Sequence, residues 1–351
     1  KIEFLPDAAQ LQQRLTSGQG FANPEIAVLM AYSKMHLQDA LLAGDLPDDV
    51  AFNTVLVNYF PQAMQTQYLN EIENHYLRRE IIANQVANQV VNRMGISFVQ
   101  RLSTEMGRSI DDVVRAYWIA SGLYQAEQYF VRIESWDNQV NAELQMRLMA
   151  ALARLISRVA RGLLKDHADL SDLATWQNRY GSAVQDLLSQ LPELIKADVH
   201  PNVSNALETL HAQVAIDDNT AQFFARLPYA ENLLNLIDLS EATDQPLAMV
   251  AEYYFDVNTK LNSDWLYHTI AALPRDNHWQ NQACLAIRED TQNLLLDITK
   301  QMLVVEDASG EAVLEQKLQL VERQVATMQP YAHIDLAMLS ALLRSISKIV
   351  H

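Results

Sequence analysis

Few residues in this chain have the types and spacing that chemistry requires. Glu208-Thr209-Leu210-His211 puts a carboxylate and an imidazole one helical turn apart. A di-iron helical bundle needs two such motifs and two further inward carboxylates, and one motif supplies too few ligands. Gly18-Gln19-Gly20 begins like a dinucleotide-binding turn, but no third glycine follows and no strand precedes it. It reads as a link into a helix start at Asn23-Pro24. No phosphate-binding Walker loop, no Gly-x-Ser-x-Gly nucleophile elbow and no His-Glu-x-x-His occurs. Cys284, the one cysteine, is flanked by Ala283, Leu285 and Ala286, the surroundings of a buried inert thiol. A single cysteine excludes an intramolecular disulfide framework and a cysteine-based zinc site.

Two polar groupings remain. Arg78-Arg79 is a compact basic pair with Glu71, Glu73 and Glu80 nearby, and ion pairs along one helix account for it. Asn84, Asn88 and Asn92 recur at spacing four and form one stripe. A stripe of amides serves either as a recognition face or as a set of bonds to neighbouring helices and loops, and the second is expected. His36, His75, His167, His200, His268, His278, His333 and His351 are scattered, each read as a surface or locally bonded imidazole. No catalytic, cofactor-binding or metal-ligating residue is assigned.

The elements that carry these residues are helices. Nine Gly and ten Pro in 351 residues are too few for the turns of a large β-sandwich or barrel. Apolar residues at Ile26, Leu29, Met30, Leu37 and Leu41 mark the face of a helix opened by Asn23 as N-cap and closed by Gly44. A helical stretch, broken near His75, ends at Gly95, and another ends at Gly107. A long pattern from about Ala126 to Leu164 carries Ile133, Trp136, Val140, Leu144, Leu148, Leu152, Leu155 and Val159, with Met146 and Met149 beside it as bundle core. Its spacings favour four over three, so a globular bundle suits it better than a coiled coil. Further helices are expected at about 172–190, 193–197, 203–214, 218–225, 229–237, 241–272, 276–306, 309–328 and 331–350, with prolines, Pro192 among them, at their starts or stops. The five tryptophans are assigned to core packing or helix–helix contact. The expected fold is all-α, an irregular multi-helix bundle without significant β-sheet. It divides into a lead-in at 1–22, a helical subdomain at 23–165 and a second at 166–351.

The net charge of −17 is unevenly spread. Residues 1–165 carry 15 basic and 17 acidic side chains, and residues 166–351 carry 11 and 26. An acidic surface repels phosphate backbones, which argues against nucleic-acid binding. No run of 18 or more apolar residues is present to span a membrane. Cysteine usage suits a reducing cytoplasm. A chain that opens on Lys1-Ile2-Glu3 rather than Met is read as a piece of something longer.

One ordered set of motifs resembles a known family. It runs from Asn23-Pro24-Glu25-Ile26-Ala27-Val28-Leu29-Met30-Ala31-Tyr32-Ser33-Lys34 through Asp45-Leu46-Pro47-Asp48-Asp49, Tyr59-Phe60-Pro61 and His75-Tyr76-Leu77-Arg78-Arg79-Glu80-Ile81-Ile82-Ala83. It continues with Ala87-Asn88, Val91-Asn92-Arg93, Gly95, Phe98-Val99 and Trp136-Asp137-Asn138-Gln139-Val140. This order resembles the C-terminal helical region of the large bacterial NAD-dependent glutamate dehydrogenases. The likeness is dense over about 21–165 and thin beyond, where His278-Trp279 through Arg288-Glu289-Asp290 is similar. A departure stands at Arg161-Gly162-Leu163-Leu164, where such proteins tend to have Arg-Trp-Leu-Leu.

The resemblance implies a parent enzyme that oxidises L-glutamate to 2-oxoglutarate and ammonium with NAD. Its catalytic domain, with the dinucleotide turn, would lie upstream. It also implies that this fragment holds no cofactor and is inactive alone. Its partners would be the catalytic domain of the same chain and other copies in a homo-oligomer. A free-standing acidic helical scaffold or adaptor is the alternative.

Overall fold

The computed structural model describes residues 5–305 and 308–350, with side chains omitted at 308–311. The Lys1–Phe4 part of the expected lead-in and the terminal His351 lie outside the described residues. Among the described residues the structure is helical with no strand, as the composition requires. Two compact units are present. One comprises residues 1–182 with 213–215, the other 183–212 with 216–351.

The first unit begins with α1 (Ala8–Ser17) and α2 (Asn23–Ala43). The helix start is displaced by one residue from expectation: Ala22 is the N-cap and Asn23 is already helical. The cause is Glu25, which accepts the Ala22 N–H at 2.7 Å and takes over the work of an Asn cap. The same carboxylate receives two hydrogen bonds from Arg14, at 2.7 and 2.9 Å. Beyond Gly44 come two short 3₁₀ turns, then α3 (Asn53–Tyr59), α4 (Gln62–Gln65) and α5 (Leu69–Glu73). The break near His75 is present, and α6 (Arg78–Met94) follows, closed by Gly95 at φ 86°. That positive φ is cheap only for glycine. α6 buries Ile82, Ala83, Val86, Ala87, Val90 and Val91 and packs against α2 and α3.

α7 (Phe98–Met106) and α8 (Ile110–Leu123) come next, the latter capped by Ser109, whose hydroxyl accepts the Asp112 N–H at 3.0 Å. α8 is buried along most of its circumference and packs on α9 (Ala126–Glu134) and α10 (Ala142–Asp166). The expected single pattern from Ala126 to Leu164 is therefore two helices. Its apolar stripe passes through a turn at 135–141, where Asn138 has φ 64° and Trp136 and Val140 stay buried. Buried Gln145 explains why the break is tolerated: its amide donates to the carbonyls of Trp136 at 3.2 Å and Val140 at 2.9 Å. Met146, read as core, is 63% exposed.

α11 (Leu173–Leu194) contains the boundary between the two units. Pro192 lies inside it rather than at a stop, so close to the end that it disturbs only the last turn. The second unit continues with α12 (Pro201–His211), α13 (Asp218–Arg226), a 3₁₀ segment at Leu227–Asn232, α14 (Leu233–Thr243), α15 (Leu247–Lys260) and α16 (Ser263–Ala272). The expected helix at 241–272 is thus interrupted twice, at Asp244 (φ 52°) and Asn262 (φ 49°). Pro246 drives the first break by excluding Gln245 from the helical region. Asp and Asn tolerate the left-handed conformation better than other side chains, which lets a glycine-poor chain turn sharply. α17 (His278–Val304), α18 (Ala308–Met328) and α19 (Leu336–Val350) complete the unit. α15 and α17 form its centre, with Val250, Tyr254, Phe255, Leu295 and Ile298 buried. Among the tryptophans, Trp136 and Trp176 are buried and Trp118 and Trp265 are half-buried. Trp279 departs from the expected packing role and is 78% exposed.

Candidate functional site

α6 has two chemically distinct faces. One is the buried aliphatic face. The other carries Gln85, Asn88, Gln89 and Asn92, at spacings of three, four and seven from the first, so all four point the same way. They form the floor of a groove of about 1060 Å³ in the first unit, walled by α3 with Val55 and Tyr59 and by α10 with Met146 and Met149. Arg93 sits at one end. It bonds Glu127 through Nε at 3.1 Å and Nη2 at 2.6 Å, and it pairs with Glu134. Its guanidinium lies 5.0 Å from the centre of the Phe130 ring. Burial opposes its charge, but the hydrogen bonds to Glu127 and Glu134 outweigh this and raise its pKa. Under the floor, burial pushes the Tyr117 hydroxyl, beside Gln89 and Ser121, up to about 12.

The second unit holds a polar cluster around buried His200. The Tyr229 hydroxyl donates to Oδ2 of Asp264 at 2.5 Å. His200 Nδ1 lies 3.2 Å from that hydroxyl and 3.4 Å from the carboxylate, and Nε2 lies 3.3 Å from the Thr259 hydroxyl. Thr259 donates its own proton to the Phe255 carbonyl at 2.9 Å. Burial, then the bond to Asp264, raise the Tyr229 pKa. Both ring nitrogens of His200 face internal partners. The cluster therefore ties α12, α15 and α16 together, beside a pocket of about 370 Å³.

The family described as "Glutamate dehydrogenase, C-terminal" matches residues 18–348. The chain belongs to this glutamate dehydrogenase C-terminal family. It is 34% identical to an NAD-specific glutamate dehydrogenase of Pseudomonas aeruginosa over 92% of its own length and 20% of that protein's. It is 29% identical to one of Halomonas elongata (86% of this chain, 19% of that protein) and 28% identical to one of Mycobacterium tuberculosis (99% and 22%). The chain thus spans about a fifth of the length of these relatives.

For a member of the glutamate dehydrogenase C-terminal family, the residues singled out from sequence have plain structural addresses. Arg79 does not pair with the glutamates of its own helix. It reaches back to the end of α2, donating to the carbonyls of Leu42 at 2.9 Å and Gly44 at 3.0 Å, and it pairs with Asp48. Arg78 donates to Asn53 at 3.1 Å. Sequence proximity favoured Glu71, Glu73 and Glu80, but the turn at 74–77 points both arginines across the fold. Asn84 bonds Gln38 of α2 at 3.0 Å and receives the Asn88 amide at 3.1 Å, the helix-bridging role expected of it. Asn88 and Asn92 also belong to the groove floor, which the spacing-four stripe only half describes. Counting Asn and Gln as one carboxamide class reveals the true face.

Glu208 and His211 do not form a shared site: His211 Nε2 lies 2.9 Å from Asp218, and both are well exposed. Among the described residues no group of three or more His, Cys, Asp or Glu side chains could hold a metal ion. Cys284 is buried, as its neighbours imply. Among the described residues no helix is long and apolar enough to cross a membrane. In the segment 278–290, whose sequence is family-like, Arg288 forms a buried pair with Glu231 at 2.5 Å and lies 4.3 Å from the Tyr267 ring centre.

Proposed function

We propose that this chain is the non-catalytic C-terminal helical part of an NAD-dependent glutamate dehydrogenase. The parent reaction is L-glutamate, NAD and water to 2-oxoglutarate, ammonium and NADH. The observation that carries the reading is the family match over residues 18–348, together with relatives about five times longer that are named NAD-specific glutamate dehydrogenases. The role of the helical part is structural or regulatory: it packs on the catalytic domain of the same chain and supports a cytoplasmic homo-oligomer.

The residues here do not fit NAD. A dinucleotide pyrophosphate needs a glycine-rich turn between a strand and a helix N-terminus. The described residues include no strand, and the Gly18-Gln19-Gly20 segment leads into a helix from another helix. In the groove, the Arg93 guanidinium is already claimed by Glu127 and Glu134.

The test compares the full-length enzyme, a version ending before this region, and residues 1–351 alone. NADH formation is followed by absorbance and assembly mass by light scattering. Glutamate-dependent NADH formation by the full-length chain, none by residues 1–351, and a smaller or inactive truncated assembly are expected. NADH formation by residues 1–351 alone would overturn the non-catalytic assignment. An unchanged assembly and rate after truncation would overturn the structural one.

A further inference from the structure

We propose that the carboxamide-floored groove of the first unit is the seat of an extended, uncharged peptide segment from the same long polypeptide, outside residues 1–351. The proposal rests on the reading of the chain as part of a longer enzyme.

The chemistry of the floor points to main chain. A carboxamide carries an N–H donor and a C=O acceptor side by side, the same complement as a peptide group. Gln85, Asn88, Gln89 and Asn92 supply four of them on one face of α6. A face that merely solvated the helix would be expected to include Lys or Glu, the usual helix-surface residues. This one has neither, although the chain is 20% charged. Asn88 and Gln85 each give an N–H to the Asn84 oxygen, at 3.1 and 3.3 Å, and Gln89 bonds the Tyr117 hydroxyl, whereas Asn92 makes no side-chain hydrogen bond among the described residues, so the Asn92 amide and the oxygens of Gln85 and Asn88 are left to meet a ligand.

The walls point to an apolar, adaptable side-chain fit. Met146 and Met149 on α10 and Tyr59 on α3 face the groove. Methionine is unbranched and polarizable, and it moulds itself to whatever fills a gap. Met146 at 63% exposure and Tyr59 at 54% are costly places for such side chains unless something covers them.

Charge and backbone form select the occupant. The ionised lining residues are Arg93 and Arg154 against Glu127 and Glu134, which balance. A ligand bearing phosphates would find no cationic cradle, and a strongly charged peptide would find no counter-charge. A helix is a poor occupant, because its main-chain groups are already bonded internally and leave the carboxamides nothing to pair with. A second copy of the described residues offers mostly helix for the same reason. An extended segment beyond them is what remains, and about four-fifths of the relatives' length lies beyond the matched part.

The test uses the full-length enzyme. A benzophenone side chain introduced at Met146 and photolysed should cross-link to one segment outside residues 1–351 of the same chain, identified by mass spectrometry. Asn92→Asp keeps shape but replaces the donor with a carboxylate facing main-chain carbonyls, and Asn92→Leu removes donor and acceptor together. Hydrogen–deuterium exchange in that segment should rise about tenfold for one or two lost hydrogen bonds. Exchange in α8 and α10 serves as the folding control and should not change. Cross-links confined to residues 1–351 or to a separate protein, or exchange outside the region unaffected by both variants, would overturn the proposal. Glutamate-dependent NADH formation by the unmodified full-length chain is measured in parallel. Its absence would count against the parent reading, whereas its presence with no groove cross-link would count against the groove alone.

Discussion

Gly44 and Asp111 are fitted to each other across the first unit. A Cβ built on Gly44 would stand 2.7 Å from Cγ of Asp111 and closer still to Oδ2. That carboxylate accepts the N–H groups of Asp45 at 3.2 Å and Leu46 at 3.4 Å, just past the end of α2. Burial raises its pKa against the pull of these bonds. Gly44→Ala is expected to cost about 1–3 kcal/mol, as overpacking does. Most of that cost should vanish in an Asp111→Ala background, measured by a urea double-mutant cycle. Additive effects in the cycle would rule out the fit as the cause.

Arg79 closes the same corner from the other side, satisfying two carbonyls at the end of α2 while pairing with Asp48. Arg79→Ala should lose about 1–3 kcal/mol, the worth of charged hydrogen bonds. Arg79→Lys should recover less than half of it, since one ammonium lacks the planar fork that reaches three acceptors. Full recovery by lysine in thermal melts would show that only the charge matters.

Glu231 and Arg288 tie the second unit together in a desolvated pair, with side-chain exposures of 7% and 13%. Burial works against the Arg288 charge, and Glu231 more than restores it. Glu231→Leu alone leaves a buried cation and should cost about 3–5 kcal/mol. Adding Arg288→Met should return much of that loss. A double variant no better than the single would contradict the account.

Gly162 lies within α10, and nothing lies within 4 Å of a Cβ built there. Gly162→Ala, about one turn before the end of α10, should therefore raise stability by about 1 kcal/mol. Chemical denaturation reads the gain directly, and a loss would mean that the glycine serves close packing.

Stability at high pH should fall because of two buried phenols. Burial pushes Tyr117 and Tyr254 each to about 12. An unfolded tyrosine titrates near 10. Folded-state values above the unfolded one mean stability that is complete below pH ~10 and declines through pH ~12, by on the order of 2 kcal/mol per residue. Tyr117→Phe and Tyr254→Phe should each flatten the decline between those limits. An unchanged alkaline slope in both variants would refute the assignment.

Local signals carried the fold class and many helix ends. Gly95, Gly107 and the Ser109 cap announce themselves because a left-handed residue or a side-chain acceptor acts within one turn. The breaks at Asn138, Asp244 and Asn262 are harder to read. Asn and Asp permit a left-handed turn without demanding one, and what settles Asn138 is a distant partner, the amide of Gln145. Arg78 and Arg79 were assigned to sequence neighbours, whereas the turn before α6 sends them to Asp48 and Asn53. The groove was half legible: Asn88 and Asn92 stood out by spacing, but Gln85 and Gln89 complete the face, and the walls come from α3 and α10, which only tertiary structure brings near.

Several helices in each unit pack on partners close in the chain: α8 with α7, α9 and α10 in the first, α14 with α15, and α18 with α19, in the second. Short loops close quickly and lose little entropy, so such neighbouring pairs are favoured to meet early in folding. A growing chain emerges from the ribosome at about 5–20 residues per second. Each helical pair thus has time to form before the next is made, and half-finished polypeptide exposes little aliphatic surface to aggregation while the remainder is still being translated.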